Sequence, residues 1–178
     1  ETNEGLIPLT VFGSHNMANL SAAQWVCQLV GVSEEEFVEA IPSFKGASKR
    51  LECLIKGKTS WLYKDFAHSP SKVTATAQAV KIQFGEKKLI ACLELHTYSS
   101  LDAEFLPAFT NSLNAADQAF IFYDPVALKN KKRPLLEKET IEMAFKHPNV
   151  IGYENPKELN QSLLEYNYEE AVLIMMIS

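Results

Sequence analysis

Apolar residues recur with helical spacing over the first forty positions: Leu20, Ala23, Val26, Cys27 and Val30 form one stripe, and Gly31 closes it. The pattern predicts a helix with Asn16 as N-cap and Gly31 as the left-handed residue beyond its end. A second helix follows at once, with Ser33 and Glu36 spaced as a capping box, Phe37, Val38 and Ile41 as its apolar stripe, and Pro42 as its stop. Residues 43–48 are polar, contain Gly46 and show neither period, so a domain boundary is expected there, between 44 and 45.

Beyond that boundary the period becomes that of strands. Residues 51–55 and 60–66 read as a hairpin turning at Gly57 and Lys58. A helix over 70–84 opens with Ser69 and Pro70 and meets Gly85 at its end. Residues 88–95 (KLIACLEL) form a nearly unbroken apolar run, as expected of a strand covered on both faces. A helical segment around 101–113, weakened by Pro107, leads to a strand at 118–123. A helix at 139–147, a strand at 149–153, a helix at 156–166 and a strand at 170–177 complete the series. Strands alternating with helices imply right-handed crossovers and an α/β, Rossmann-like three-layer sandwich with a mostly parallel sheet, preceded by the two opening helices.

Composition narrows the function classes. With 47% hydrophobic and 22% charged residues, the 178-residue chain has the make-up of a globular protein. A formal charge of −5 argues against a nucleic-acid partner, which calls for a concentrated excess of Lys and Arg. The one dense basic run, Lys129, Lys131, Lys132 and Arg133, lies beside Pro134 and reads as a solvated loop. Cys27, Cys53 and Cys92 sit in apolar stretches without a CxxC pair and read as reduced core residues. No apolar run approaches the roughly 20 residues of a membrane span, so membrane insertion is not expected and the cytoplasm is the natural compartment. The chain ends at Met175, Met176, Ile177 and Ser178 directly after an apolar run, and is expected to be a piece of something longer.

Polar residues collect where the strands end, which is where an open α/β sheet binds ligands. Asp65 and His68 follow the second strand, His96 to Ser100 the third, and Tyr123 and Asp124 the fourth. The fold alone does not name a reaction.

Four short stretches in fixed order carry a more specific signal: Gly13-Ser14-His15-Asn16-Met17-Ala18-Asn19, Lys49-Arg50-Leu51-Glu52, Asp65-Phe66-Ala67-His68-Ser69-Pro70 and Leu93-Glu94-Leu95-His96. Together they resemble the Mur ligase family: its G-x-H-N-x-x-N helix at the end of the central ATPase domain, its arginine-glutamate strand opening the terminal domain, and its D-[YF]-x-H-x-P turn. The resemblance implies that residues 1–44 end the central ATP-binding domain and that 45–178 are the carboxyl-terminal domain, truncated at its end. It also implies ATP with Mg2+ as cofactor, the metal ligands lying upstream. The partners it implies are small molecules, UDP-N-acetylmuramate and an amino acid or peptide, joined through an acyl phosphate in peptidoglycan synthesis or recycling. The spelling around Asn16 and Phe66 is more like the peptide-adding ligase of wall recycling, whose substrate is L-alanyl-γ-D-glutamyl-meso-diaminopimelate, than like the L-alanine-adding ligase. The latter carries arginines in the stretch matching His96 to Leu101, where this chain has Thr97, Ser100 and Leu101.

Each candidate has a plain reading beside the functional one. Asn16 and Asn19 share a helix face, where their amides can meet an adenine edge or a ribose, and His15 can stack on the same nucleoside; otherwise Asn16 is a cap and His15 a turn residue. The Arg50 guanidinium can fork onto a terminal phosphate, and is the catalytic candidate; otherwise it makes a weak surface ion pair. Asp65 can accept from ribose hydroxyls or help place a metal-bound phosphate; otherwise it holds a turn. His68, His96, Thr97, Tyr98 and Ser99 are the candidates for the amine substrate, with Tyr123 and Asp124 weaker. Gly57-Lys58-Thr59-Ser60 echoes the end of a phosphate loop, but the glycine required earlier falls at Glu52, and no helix follows. Two other readings remain open: a noncatalytic nucleotide- or peptide-binding domain of the same fold, and a related amide-forming ligase that adds glutamate to folate.

Overall fold

The computed structural model describes residues 5–178. The opening helix, α1 (Ser14–Leu29), is capped by Gly13 and not by Asn16. Gly13 takes φ 92° and ψ 142°, and a Cβ there would stand 2.7 Å from the Ala79 Cβ, so the backbone approaches its neighbour as only glycine permits. Asn16 falls inside the first turn, where its amide N–H donates to the Phe12 carbonyl at 2.9 Å. At the other end the Gly31 N–H donates to Gln28 and the Val32 N–H to Cys27, the paired bonds of a Schellman motif around a left-handed Gly31. The capping box of α2 (Glu34–Ala40) forms as expected: the Glu36 N–H donates to Ser33 Oγ and the Ser33 N–H to Glu36 Oε2. Pro42 lies in a 3-10 turn, Ile41–Ser43, that ends this pair. No residue of α1 is buried, and Trp25 and Leu29 project from it into solvent.

The hairpin consists of β1 (Glu52–Lys56) and β2 (Trp61–Asp65), closed by the Gly57 N–H donating to the Ser60 carbonyl at 2.8 Å. The phosphate-loop look-alike is therefore a hairpin turn. There follow α3 (Pro70–Phe84), β3 (Lys88–Leu95), β4 (Gln118–Tyr123), α4 (Pro125–Asn130), α5 (Lys138–Phe145), β5 (Val150–Tyr153), α6 (Pro156–Glu165) and β6 (Ala171–Met176). They build one six-stranded sheet in the order β1-β2-β6-β3-β4-β5, parallel except for the β1–β2 pair. Along β3, Leu89, Ala91, Leu93 and Leu95 enter the larger core with Val73, Ala77 and Val80 of α3 and Ile141 and Phe145 of α5. Ile90 and Cys92 enter the smaller core on the other face with Phe120, Tyr153 and Leu159 of α6. Burial on both faces is why this strand reads as a continuous apolar run.

Three further sequence expectations are corrected. The helix around 101–113 is a chain of turns holding only the 3-10 segment Leu106–Phe109. Pro107 supplies no backbone N–H, and the Asp102 carboxylate takes the Glu104 N–H locally; Leu101, Leu106, Phe109 and Leu113 still reach the core. The basic run is not wholly loop, because Asp124 and Pro125 start α4 and carry it through Lys129. Of the three cysteines only Cys92 is buried; Cys53 is exposed on the edge strand and Cys27 is half-buried. Among the described residues, no helix is long and apolar enough to cross a membrane.

Candidate functional site

A cleft of about 790 Å³ opens between the start of α1, the segment around Phe44 to Ala47, and the start of α3. His15, Asn16, Asn19, Arg50 and Asp65, which lie up to 50 positions apart in the chain, all line it. Asn16 and Asn19 reach it from one face of α1. Because the Asn16 amide N–H is held by Phe12, its Oδ1 remains open to a donor. The His15 Nδ1 is buried without a hydrogen-bond partner. Thr76, Ser71 and Lys72 of α3 also line the cleft and carry no motif in the sequence; Lys72 is recognisable only once folding brings it to the same cleft as Arg50.

Arg50 precedes β1 and occupies a tight turn, where its neighbours Lys49 (φ 57°) and Leu51 (φ 47°) are both left-handed. Each such conformation costs about 1–2 kcal/mol for a residue with a Cβ. Two carboxylates hold the turn: Glu52 Oε2 accepts the Lys49 N–H at 2.9 Å, and Asp65 Oδ2 accepts the Leu51 N–H at 2.7 Å. Asp65 is 5% exposed, and its Oδ1 accepts from Thr76 Oγ1 at 3.4 Å. Glu52 is thus spent on backbone and not on Arg50. Neither Arg50 nor Lys72 has an ion-pair partner among the described residues.

The second set of candidates gathers elsewhere, at the ends of β2 and β3. Phe66, His68 and His96 stack against one another, with ring centroids 4.9 to 5.8 Å apart. His68 Nδ1 meets the Phe66 carbonyl at 2.9 Å, and His96 Nδ1 lies 3.8 Å from Glu94 Oε2. Thr97 and Ser100 close on each other: the Thr97 N–H donates to Ser100 Oγ and the Ser100 N–H to Thr97 Oγ1, each at 3.0 Å. Tyr98 and Ser99 are exposed, and Lys131 Nζ stands 4.6 Å over the Tyr98 ring. None of these residues lines the large cleft.

The two weaker candidates serve the fold. Tyr123 is fully buried, and its hydroxyl bonds to the Leu136 carbonyl and to Glu154; burial and then that carboxylate push the phenol far above its usual range. Asp124 caps α4 by accepting the Val126 N–H at 2.8 Å.

No family model matches the chain. It is 32% identical over 176 residues to a UDP-N-acetylmuramate–L-alanine ligase of Caldanaerobacter subterraneus, a match covering 97% of the chain and 37% of that protein. A ligase of the same description from Caldicellulosiruptor saccharolyticus is 36% identical over 115 residues, 65% of the chain and 25% of the relative. Among solved structures, a UDP-N-acetylmuramate-alanine ligase from Thermotoga maritima superimposes with a TM-score of 0.73 at 19% identity, over 95% of this chain and 35% of that one. A murein peptide ligase from Psychrobacter arcticus gives 0.64 at 20% identity, over 98% and 37%. The chain thus spans little more than a third of the length of such relatives. The similarity along nearly the whole chain, with the ordered motifs and the mostly parallel sheet, makes it a member of the Mur ligase family with the fold of that family's carboxyl-terminal domain.

Proposed function

We propose that the chain belongs to an ATP-dependent ligase that joins L-alanine to UDP-N-acetylmuramate, and that it contributes the nucleotide-facing wall and the amine-binding rim. The observation that carries this reading is the convergence of His15, Asn16, Asn19 and Arg50 on one cleft, apart from the polar rim at His68 and His96. The cleft suits a nucleoside triphosphate: the Asn16 and Asn19 amides and the His15 ring for the nucleoside, and two unpaired cations, Arg50 and Lys72, for phosphates. ATP, bound with Mg2+, supplies the phosphoryl group that activates the muramyl carboxylate; the amine then attacks the carbonyl carbon and phosphate leaves. Arg50 stabilises the charge that moves during transfer. Asp65 acts at one remove, by fixing the turn that presents Arg50. Residues 1–44 belong to the ATP-binding domain in this reading, the boundary falling after the 3-10 turn. A reaction that consumes ATP and a UDP-linked sugar places the protein in the cytoplasm.

L-Alanine is preferred to the tripeptide because the relatives at 32 to 36% identity are described as L-alanine ligases. The peptide reading of the sequence, drawn from the residues around Asn16 and Phe66 and the lack of arginines at Thr97 and Ser100, is the weaker of the two. Phosphate release by the full-length protein, with UDP-N-acetylmuramate and either amine, tests the choice. A higher kcat/KM for L-alanine is the expected result. A higher value for the tripeptide overturns the substrate, and no amine-dependent release with either overturns the ligase. The chain alone is expected not to turn over ATP, since it contains no complete phosphate loop.

A further inference from the structure

We propose that Lys131 is the cation that receives the carboxylate of the incoming amino acid; the proposal rests on the ligase reading above. Tyr98 lies two residues beyond His96 on the rim, 61% exposed, with Lys131 Nζ 4.6 Å above its ring. A cation–π contact of this kind holds an ammonium in place while leaving its hydrogens free for an anion.

The position of Lys131 is built. Its N–H donates to Ala127 at the end of α4, Lys132 turns with φ 54°, and the Arg133 N–H returns to the Leu128 carbonyl. On the far side Arg133 Nη1 grips Asp102 Oδ2 at 2.7 Å, tying the strap to the turn that carries Thr97 to Ser100. That ion pair uses up the Arg133 charge. Lys131 is half-buried and has no carboxylate partner among the described residues, in contrast to Lys81 with Asp117 and Lys138 with Glu142.

A half-buried ammonium without a carboxylate partner keeps its charge available to an anion. The carboxylate of the turn beside it, Asp102, is already taken by Arg133, and Thr97 and Ser100 satisfy each other. A small substrate with an α-amine and a free carboxylate fits: the carboxylate meets Lys131 over Tyr98, and the amine is directed toward His68 and His96. The class this selects is free α-amino acids over their neutral amides, since a site that pairs a charge rejects the analogue lacking it.

The test compares L-alanine with L-alaninamide as amine substrates of the full-length protein. Wild type should prefer L-alanine. Lys131→Met should lower kcat/KM for L-alanine about tenfold or more, through KM, equivalent to about 1.4 kcal/mol of lost pairing. L-Alaninamide should change less than about twofold, so the preference collapses, and Lys131→Arg should retain it. A general structural effect would move both amines together. A Lys131→Met protein that keeps the wild-type preference, or a wild type indifferent to the carboxylate, overturns the proposal alone. A wild type that uses neither amine overturns the L-alanine reading as well.

Discussion

The carboxylate of Asp65 and the backbone N–H of Leu51 meet at 2.7 Å in a buried setting, and that bond fixes the turn from which Arg50 projects. Removing the acceptor strands a buried N–H, at a cost of about 1–3 kcal/mol. Asp65→Ala should therefore lower the urea midpoint without changing the slope. The Leu51 amide should lose its hydrogen-exchange protection ahead of the amides of β3. An Asp65→Ala protein as stable as wild type, with Leu51 still protected, would remove the bond from the account.

Arg50 itself can be tested in the full-length protein. Arg50→Ala should reduce kcat by one to three orders of magnitude, on the order of the loss seen when a donor to developing charge is removed, with little change in KM for the amine. Unchanged turnover would take Arg50 out of the reaction.

Gly13 is the position where a methyl group does most harm. Gly13→Ala forces a Cβ to within 2.7 Å of Ala79 on a backbone with φ 92°. Overpacking alone costs about 1–3 kcal/mol, and the strained conformation adds to it. The melting temperature should fall by several degrees, whereas Gly5→Ala, which meets nothing within 4 Å, should have a smaller effect. Equal melting temperatures for the two variants would contradict the close approach of α1 to α3.

The cysteines separate by burial. Burial, with Glu94 adding to it, pushes the Cys92 thiol from 9.0 up to about 12, so at neutral pH it is a protonated, enclosed thiol. Disulfide reagents should label the exposed Cys53 first and Cys92 only on unfolding. A thiol whose folded pKa is raised contributes stability fully present below its unfolded value and lost as pH rises toward its folded one. The Cys92 contribution should thus fade between pH 9 and about 12, and Cys92→Ala should flatten that limb of the stability profile. Rapid labelling of Cys92 in the native state would refute its enclosure.

Local signals made much of the fold legible. Ser69-Pro70 and Gly85 mark the ends of α3, and the unbroken apolar runs of β3 and β4 give their bounds to the residue. The segment after β3 reads as a helix because Leu101, Leu106, Phe109 and Leu113 have near-helical spacing, yet they are brought inward by successive turns around Pro107. Helix α4 is hard to see in the sequence because its cap, Asp124, also follows a strand and its basic residues, next to Pro134, also suit a loop. The five cleft residues were readable as motifs, but their separation from the histidine rim was not, since it depends on which strands neighbour one another. Lys72 acquires meaning only from the cleft it lines, whereas the basic run around Lys131 is visible in the sequence and only its tyrosine ring is not.

The placement of β6 between β2 and β3 governs the order of assembly. The strand that joins the hairpin to the rest of the sheet is the last of the six in sequence, so neither flanking strand has its inner partner until residues 171–176 arrive. Until then the β1–β2 ribbon and the β3-β4-β5 block are separate edges, each exposing unpaired amides beside apolar side chains. Closing the pair between Trp61 and Val172 spans more than a hundred residues, a long loop that slows folding. A nascent chain halted short of Ala171 would display two open edges, at β2 and β3, beyond those the finished sheet keeps at β1 and β5, the condition under which strands pair with the wrong molecule.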